Sequence, residues 1–82
     1  MELEVKLVGR LKKYGQNKLS EDNKVELKAN RKEKLTVSDL INYLEIPPEQ
    51  SMQVLVNGRD VRKDYELTSS DRVVFYNLVA GG

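Results

Sequence analysis

Residues 52–62, MQVLVNGRDVR, carry the clearest fold signal in the chain. Asn57-Gly58 follows the apolar segment MQVLV and precedes a short segment around Val61, and both residue types tolerate the positive φ angles of a two-residue hairpin turn. MQVLV therefore predicts a strand, and Arg59–Arg62 predicts a short return strand. Further along, Thr68–Asp71 (TSSD) has the composition of a turn. Arg72–Tyr76 (RVVFY) then predicts the last strand.

Apolar and polar residues alternate in the segments that precede this hairpin. The alternation at residues 2–7 (ELEVKL) predicts a half-buried first strand, which we expect to run to about Leu11. Lys12–Asn23 is polar and rich in turn formers, and is predicted to be a loop. A second strand is predicted around Val25 and Leu27.

One helix is expected between the second and third strands. Thr36 has the side chain of an N-cap, and Asp39 follows three residues later, as in a capping box. Four apolar residues then share one helical face: Val37, Leu40, Ile41 and Leu44. Pro47 and Pro48 end the helix near Ile46.

These elements predict an α+β fold in which one mixed sheet packs on a single helix. Nine side chains should face the helix: Leu3, Val5, Leu7, Val25, Leu27, Val54, Val56, Val73 and Phe75. The opposite sheet face then carries four apolar residues where polar ones are expected: Val8, Leu55, Val74 and Tyr76. A cluster of this kind indicates a partner-binding surface, although scattered surface hydrophobics are common in strands.

Composition narrows the chemistry that this chain can perform. The 82 residues form one small domain, and 39% of them are hydrophobic. The absence of Cys and His removes thiolate nucleophiles, the commonest general base and the usual transition-metal ligands, so no metal site is expected. No apolar run is long enough for a membrane span. We expect a non-catalytic cytoplasmic protein.

Positive charge is concentrated in residues 10–34, with nine Lys and Arg against four acidic residues, whereas the whole chain has a net charge of only +1. A basic stretch can bind nucleic acid. Only Tyr14 interleaves with these charges, however, and stacking on single strands needs more aromatic residues. Nucleic-acid binding is therefore expected to be weak and strongly salt-dependent at most.

The sequence ends Leu78-Val79-Ala80-Gly81-Gly82. We expect residues 1–76 to form the domain and residues 77–82 to form a flexible tail. Two terminal glycines let the backbone enter a channel too narrow for a Cβ. Such a tail presents the carboxylate of Gly82, which becomes reactive once it is adenylated. The predicted site therefore consists of Gly82 and Gly81, with Leu78, Val79 and Ala80 as partner contacts.

The chain resembles the MoaD/ThiS family of sulfur carriers, which share the ubiquitin-like β-grasp fold. The resemblance lies in EVKLVGRLKKYG, TVSDLINYL, VLVNGRDV, SSDRV and the ending VFYNLVAGG. The ending Val-Ala-Gly-Gly after the last strand is its most specific part. It is closer to the MoaD branch, the small subunit of molybdopterin synthase, than to the ThiS branch.

The resemblance implies a cycle performed with partner proteins. An activating adenylyltransferase uses ATP to adenylate Gly82, and a sulfur donor converts the product to a thiocarboxylate. The large molybdopterin synthase subunit, or a thiazole synthase in the ThiS case, then receives the sulfur. No cofactor is expected to bind to the chain itself.

Four functions are compatible with the sequence. They are a sulfur carrier for molybdenum or tungsten cofactor synthesis, a carrier for thiamin or another metabolite, a ubiquitin-like modifier joined to protein lysines, and a β-grasp binding module without an activated terminus. Measurement of the intact mass separates the carriers from the binding module, because a carrier shows the mass increase of a thiocarboxylate. Lysine-linked conjugates would instead indicate a modifier.

Overall fold

The computed structural model describes residues 1–16, 18–27, 34–47 and 52–77. Five strands form one mixed sheet in the order β2-β1-β5-β3-β4. The pair β1–β5 is parallel, and the pairs β1–β2, β5–β3 and β3–β4 are antiparallel. The strands are β1 (Glu2–Leu7), β2 (Lys24–Glu26), β3 (Gln53–Val56), β4 (Arg59–Asp60) and β5 (Arg72–Tyr76). The first and last strands therefore lie side by side in the centre.

One α-helix, α1 (Val37–Tyr43), contributes to the same core as the inner face of the sheet. Phe75 is fully buried and is the largest of the fully buried side chains. All nine residues that were predicted to face the helix are buried, as are the four apolar residues predicted for the helix face. The predicted α+β architecture is confirmed. No helix among the described residues is long and apolar enough to cross a membrane.

The hairpin and the helix start agree with the sequence predictions. Asn57 and Gly58 have φ angles of 52° and 84° in the β3–β4 turn. The Thr36 hydroxyl accepts a hydrogen bond from the Asp39 N–H at 3.3 Å, and an Asp39 carboxylate oxygen accepts one from the Thr36 N–H at 2.8 Å. This capping box satisfies two backbone donors around the start of α1.

The segment after β1 differs from the prediction. The strand ends at Leu7 rather than near Leu11, and Gly9–Gly15 forms a 3₁₀ helix in a segment assigned partly to strand and partly to loop. Gly9 has a φ of +64°, which turns the chain out of the sheet. Leu11 is then fully buried, so this helix covers one end of the core. The burial of Leu11 therefore favours a packed helical turn here, although most of the surrounding residues are polar.

Lys18 joins the loop after the 3₁₀ helix to the end of α1. Its Nζ donates to the Tyr43 carbonyl at 2.6 Å, lies 3.2 Å from a Glu45 carboxylate oxygen and lies 5.1 Å from the centre of the Tyr43 ring. The last turn of α1 has no basic residue of its own. Lys18 therefore supplies the positive charge that a helix C-terminus favours.

We expect Lys18→Met to lower the free energy of unfolding by about 1 kcal/mol, because it removes a charge-assisted hydrogen bond at the helix end. Urea unfolding at low and high salt measures this effect. Lys12→Met, at an exposed position on the 3₁₀ helix, is the control and should change stability by less than about 0.5 kcal/mol. An equal loss in both variants would show that the contact at α1 contributes nothing.

Candidate functional site

The outer face of the sheet, opposite α1, carries the apolar residues that were predicted to bind a partner. The pairing register places Leu55 directly opposite Val74. Tyr76 lies two residues further along β5, on the same face as Val74. Val8 directly follows β1, and its backbone N–H donates to the Phe75 carbonyl at 3.0 Å, so it lies beside the end of β5. The four residues thus form one patch, which we call the outer apolar patch.

This patch is accessible to a partner. Leu55, Val74 and Tyr76 are each half-buried, and Val8 is 37% exposed. Half-buried apolar side chains of this kind can be desolvated further at a contact.

Charged side chains surround the outer apolar patch. An Arg72 guanidinium nitrogen lies 2.8 Å from a Glu4 carboxylate oxygen on the neighbouring strand. Lys6 is the cross-strand neighbour of Val74 on one side, and Asp60 is the neighbour of Leu55 on the other. An apolar centre with charged residues at its edge is the usual arrangement in a protein–protein interface.

A network of hydrogen bonds around Asp71 holds the start of β5 to the β3–β4 turn. The Asp71 carboxylate accepts hydrogen bonds from the Asn57 side chain at 2.9 Å, the Thr68 N–H at 2.8 Å and the Thr68 hydroxyl at 3.1 Å. The Asn57 side-chain oxygen accepts from the Arg72 N–H at 2.9 Å. The network therefore fixes the relative position of two of the strands that carry the patch.

Asp71 remains ionised in this network. Burial by itself raises the pKa of its carboxyl, because the charged form loses water. The hydrogen bonds from the Thr68 N–H and from the Asn57 and Thr68 side chains outweigh burial, and hold the pKa below its ordinary value of 3.8.

This lowered pKa sets a pH dependence. The folded state holds its Asp71 proton less tightly than the unfolded state, so the carboxylate stabilises the fold above the ordinary pKa. That contribution is lost as the pH falls through the lower folded value. We expect Asp71→Asn to cost about 2 kcal/mol at pH 7, because it leaves a buried donor unpaired. The difference in free energy of unfolding between Asp71→Asn and wild type should become smaller below about pH 4. Urea unfolding from pH 7 to pH 2.5 measures it, and a constant difference would contradict the assignment.

The C-terminal residues follow β5 in the sequence. β5 ends at Tyr76, and Asn77 is the last residue that the structure describes. The predicted site residues Leu78, Val79, Ala80, Gly81 and Gly82 lie outside the described residues. Since β1 and β5 are parallel, both strands end at the same end of the sheet, the end that carries Val8 and Tyr76.

Comparison with known proteins decides the family. The family model described as "ThiS family" matches residues 5–82, and this match includes both terminal glycines. The chain belongs to the ThiS family. It is thus a ubiquitin-like sulfur carrier protein, and such carriers are generally non-catalytic and work with activating enzymes and partner subunits.

The fold of this ThiS-family protein is similar to that of a solved structure, SAMP1 from Haloferax volcanii. The alignment covers 100% of both chains with a TM-score of 0.64 and 17% sequence identity. This likeness identifies the ubiquitin-like β-grasp fold that the family resemblance implied. No curated protein matches the ThiS-family chain significantly in sequence.

Two side-chain interactions in the candidate site of the ThiS-family domain were not predicted from the sequence. The Asp71 network was missed because Asn57 and Asp71 are 14 residues apart. The turn composition of Thr68–Asp71 was recognised, but nothing in it identifies the partner across the sheet. The Glu4–Arg72 pair spans 68 residues and becomes visible only once β1 and β5 are known to be neighbours.

Proposed function

We propose that the carboxylate of Gly82 is adenylated by an activating enzyme and converted to a thiocarboxylate, which donates sulfur in molybdopterin synthesis. The observation that carries the activation of Gly82 is the family match, which extends through residue 82 and so includes Gly81 and Gly82. The protein then acts as the small subunit of a molybdopterin synthase, and the catalytic groups belong to its partners. We place the cycle in the cytoplasm, because activation consumes ATP.

The proposed chemistry balances without a redox step. The Gly82 carboxylate attacks the α-phosphorus of ATP, and pyrophosphate leaves. Hydrosulfide then attacks the acyl carbon, a C–S bond forms, and the bond to AMP breaks. In the large subunit the thiocarboxylate sulfur attacks a substrate carbon, so that a C–S bond forms while a C–O bond of that carbon breaks and its oxygen leaves, protonated. Water then cleaves the acyl C–S bond, which leaves the sulfur on the substrate and restores the Gly82 carboxylate.

The outer apolar patch supports the docking part of the proposal. It adjoins the end of β5, from which the chain continues toward Gly82. A partner that covers Val8, Leu55, Val74 and Tyr76 would hold the domain at a fixed distance from the partner's active site. Leu78, Val79 and Ala80 would then contact the partner along the tail. The Gly82 carboxylate must lie within near-attack distance of the group with which it reacts.

A second function, sulfur donation to a thiazole synthase for thiamin, is favoured by the identity of the matching family, which is ThiS. Incubation with an activating enzyme, ATP and sulfide tests the step that both functions share, and intact mass should show one oxygen replaced by sulfur. The thiocarboxylate is then offered separately to the large molybdopterin synthase subunit and to a thiazole synthase. Transfer only to the second would replace the first proposal, and conjugates to protein lysines would indicate a modifier.

A further inference from the structure

We propose that the open edge of β1 at Leu7 binds a short, extended, acidic segment of a partner protein by strand addition. The site is the depression beside the end of β1, with a volume of about 580 Å³. We call it the Leu7 slot. Its lining includes Lys6, Leu7, Lys12, Leu19 and Glu21.

The edge of β1 is open at Leu7 because β2 is too short to cover it. β2 pairs only with Glu2, Leu3 and Glu4. One further bond, from the Val5 N–H to the Asn23 carbonyl at 2.7 Å, continues the pairing. Beyond it, the described part of the chain has no strand on this side of β1.

The backbone groups of Leu7 point toward this uncovered side. The N–H groups of Glu4 and Val8 donate to carbonyls at the β5 side, those of Asp71 and Phe75, both at 3.0 Å. Alternation along a parallel pair then directs the N–H and C=O of odd-numbered residues away from β5. Within residues 1–16, 18–27, 34–47 and 52–77, neither group of Leu7 has a hydrogen-bond partner.

A donor and an acceptor on one residue are complementary to a peptide backbone, which offers both at the same spacing. An isolated phosphate or carboxylate would satisfy the N–H and leave the C=O unpaired. The slot is short, since β2 ends it on one side and the turn at Gly9 ends it on the other. It therefore accommodates a few residues of extended chain.

The side chains around the slot specify the kind of segment. Among the described residues, Lys6 and Lys12 line it together with a single carboxylate, Glu21, so this lining has a net positive charge. Leu7 and Leu19 supply apolar lining. A segment in which acidic and apolar residues alternate would pair its carboxylates with the lysines and place an apolar side chain against the leucines.

The position of the slot suits the proposed function. The identity of the partner rests on that function, whereas the binding of an acidic segment does not. Leu7 and Phe75 are direct neighbours across the parallel pair β1–β5. A segment bound in the slot would lie one strand spacing beyond β1, at the sheet end from which the chain continues toward Gly82. A partner that receives the tail could thereby fix the rotation of the domain about the tail axis.

Binding is tested with the peptide acetyl-Glu-Val-Glu-Val-Glu-amide added to the full chain, with chemical shifts and amide hydrogen exchange followed by NMR. We expect millimolar affinity, because only about two hydrogen bonds and two exposed ion pairs form. The Leu7 amide should shift and its exchange should slow. The same peptide with N-methylated backbone nitrogens should bind at least about 5-fold more weakly. Equal binding of the methylated peptide, or no change at Leu7, would overturn the proposal.

Charge variants provide a second readout. Lys6→Gln and Lys12→Gln should each weaken peptide binding by about 3- to 5-fold, and Glu21→Gln should strengthen it. Lys13→Gln, on the same 3₁₀ helix but outside the slot, is the matched control and should leave binding unchanged. Equal effects at Lys12 and Lys13 would show non-specific attraction and reject the slot. Because no activating enzyme or ATP is present, these results are independent of the chemistry proposed at Gly82.

Discussion

Deletion of Gly82 should abolish thiocarboxylate formation in an assay with activating enzyme, ATP and sulfide, and ATP–pyrophosphate exchange should fall with it. Removal of one residue shifts the terminal carboxylate by about 3.5 Å, which is more than a positioned reaction tolerates. The free energy of unfolding should stay within about 0.5 kcal/mol of wild type. The reason is that the core of the described domain is complete at Phe75.

Two substitutions at Gly81 separate the effect of tail length from the effect of side-chain size at residue 81. Gly81→Val keeps the carboxylate at its normal distance but adds a branched side chain, and should reduce the rate to near background. Gly81→Ala adds a single Cβ and should retain an intermediate rate, because only glycine allows the closest approach of the backbone. Thiocarboxylation of the truncated chain at the wild-type rate would show that the terminal carboxylate is not the site of activation.

Tyr76→Asp should weaken binding to the activating enzyme or to the sulfur-accepting partner by roughly 30-fold, equivalent to about 2 kcal/mol. The new carboxylate would be desolvated in the middle of an apolar contact. The fold should survive, because Tyr76 is only half-buried and lies on the face opposite the core. Titration by calorimetry measures the affinity, and circular dichroism checks that the domain is folded.

The chain contains a matched control for this experiment. Tyr65 is 41% exposed in the connection between β4 and β5, outside the outer apolar patch. Tyr65→Asp makes the same chemical change and should leave affinity unaltered. Leu55→Lys is a second test within the patch, because its lysine would lie opposite Asp60 and so avoid like-charge repulsion in the free domain. If Tyr65→Asp and Tyr76→Asp weaken binding equally, the patch is not the interface.

The accuracy of the sequence predictions follows the range of the interactions involved. Asn57-Gly58, the Thr36–Asp39 capping box and the alternation in β1 and β5 depend on neighbours within four residues, and all were predicted correctly. The inner and outer faces of the sheet were also correct, since side-chain alternation in a strand is fixed by its geometry.

The errors and omissions arise where distant residues decide the structure. The turn at Gly9 and the burial of Leu11 depend on where the end of the core lies. Lys18 reaches Tyr43 across 25 residues, and no local pattern indicates that contact. The Leu7 slot exists because β2 stops early, and strand ends are the boundaries that sequence patterns locate least well.

The central pairing of β1 with β5 has a consequence for the order of events during synthesis. The hydrogen bonds between these strands join residues 4–8 to residues 71–75, so the middle of the sheet cannot form until residue 75 has been made. Until then β1 lacks its principal neighbour, and the contacts still to be made are among the most non-local in the protein. Gly81 and Gly82 follow β5 in the sequence, so they are translated only after this strand. A nascent chain stopped before β5 would therefore lack both the folded domain and the residues that we propose are activated, so an activating enzyme that recognises the sheet would not act on it.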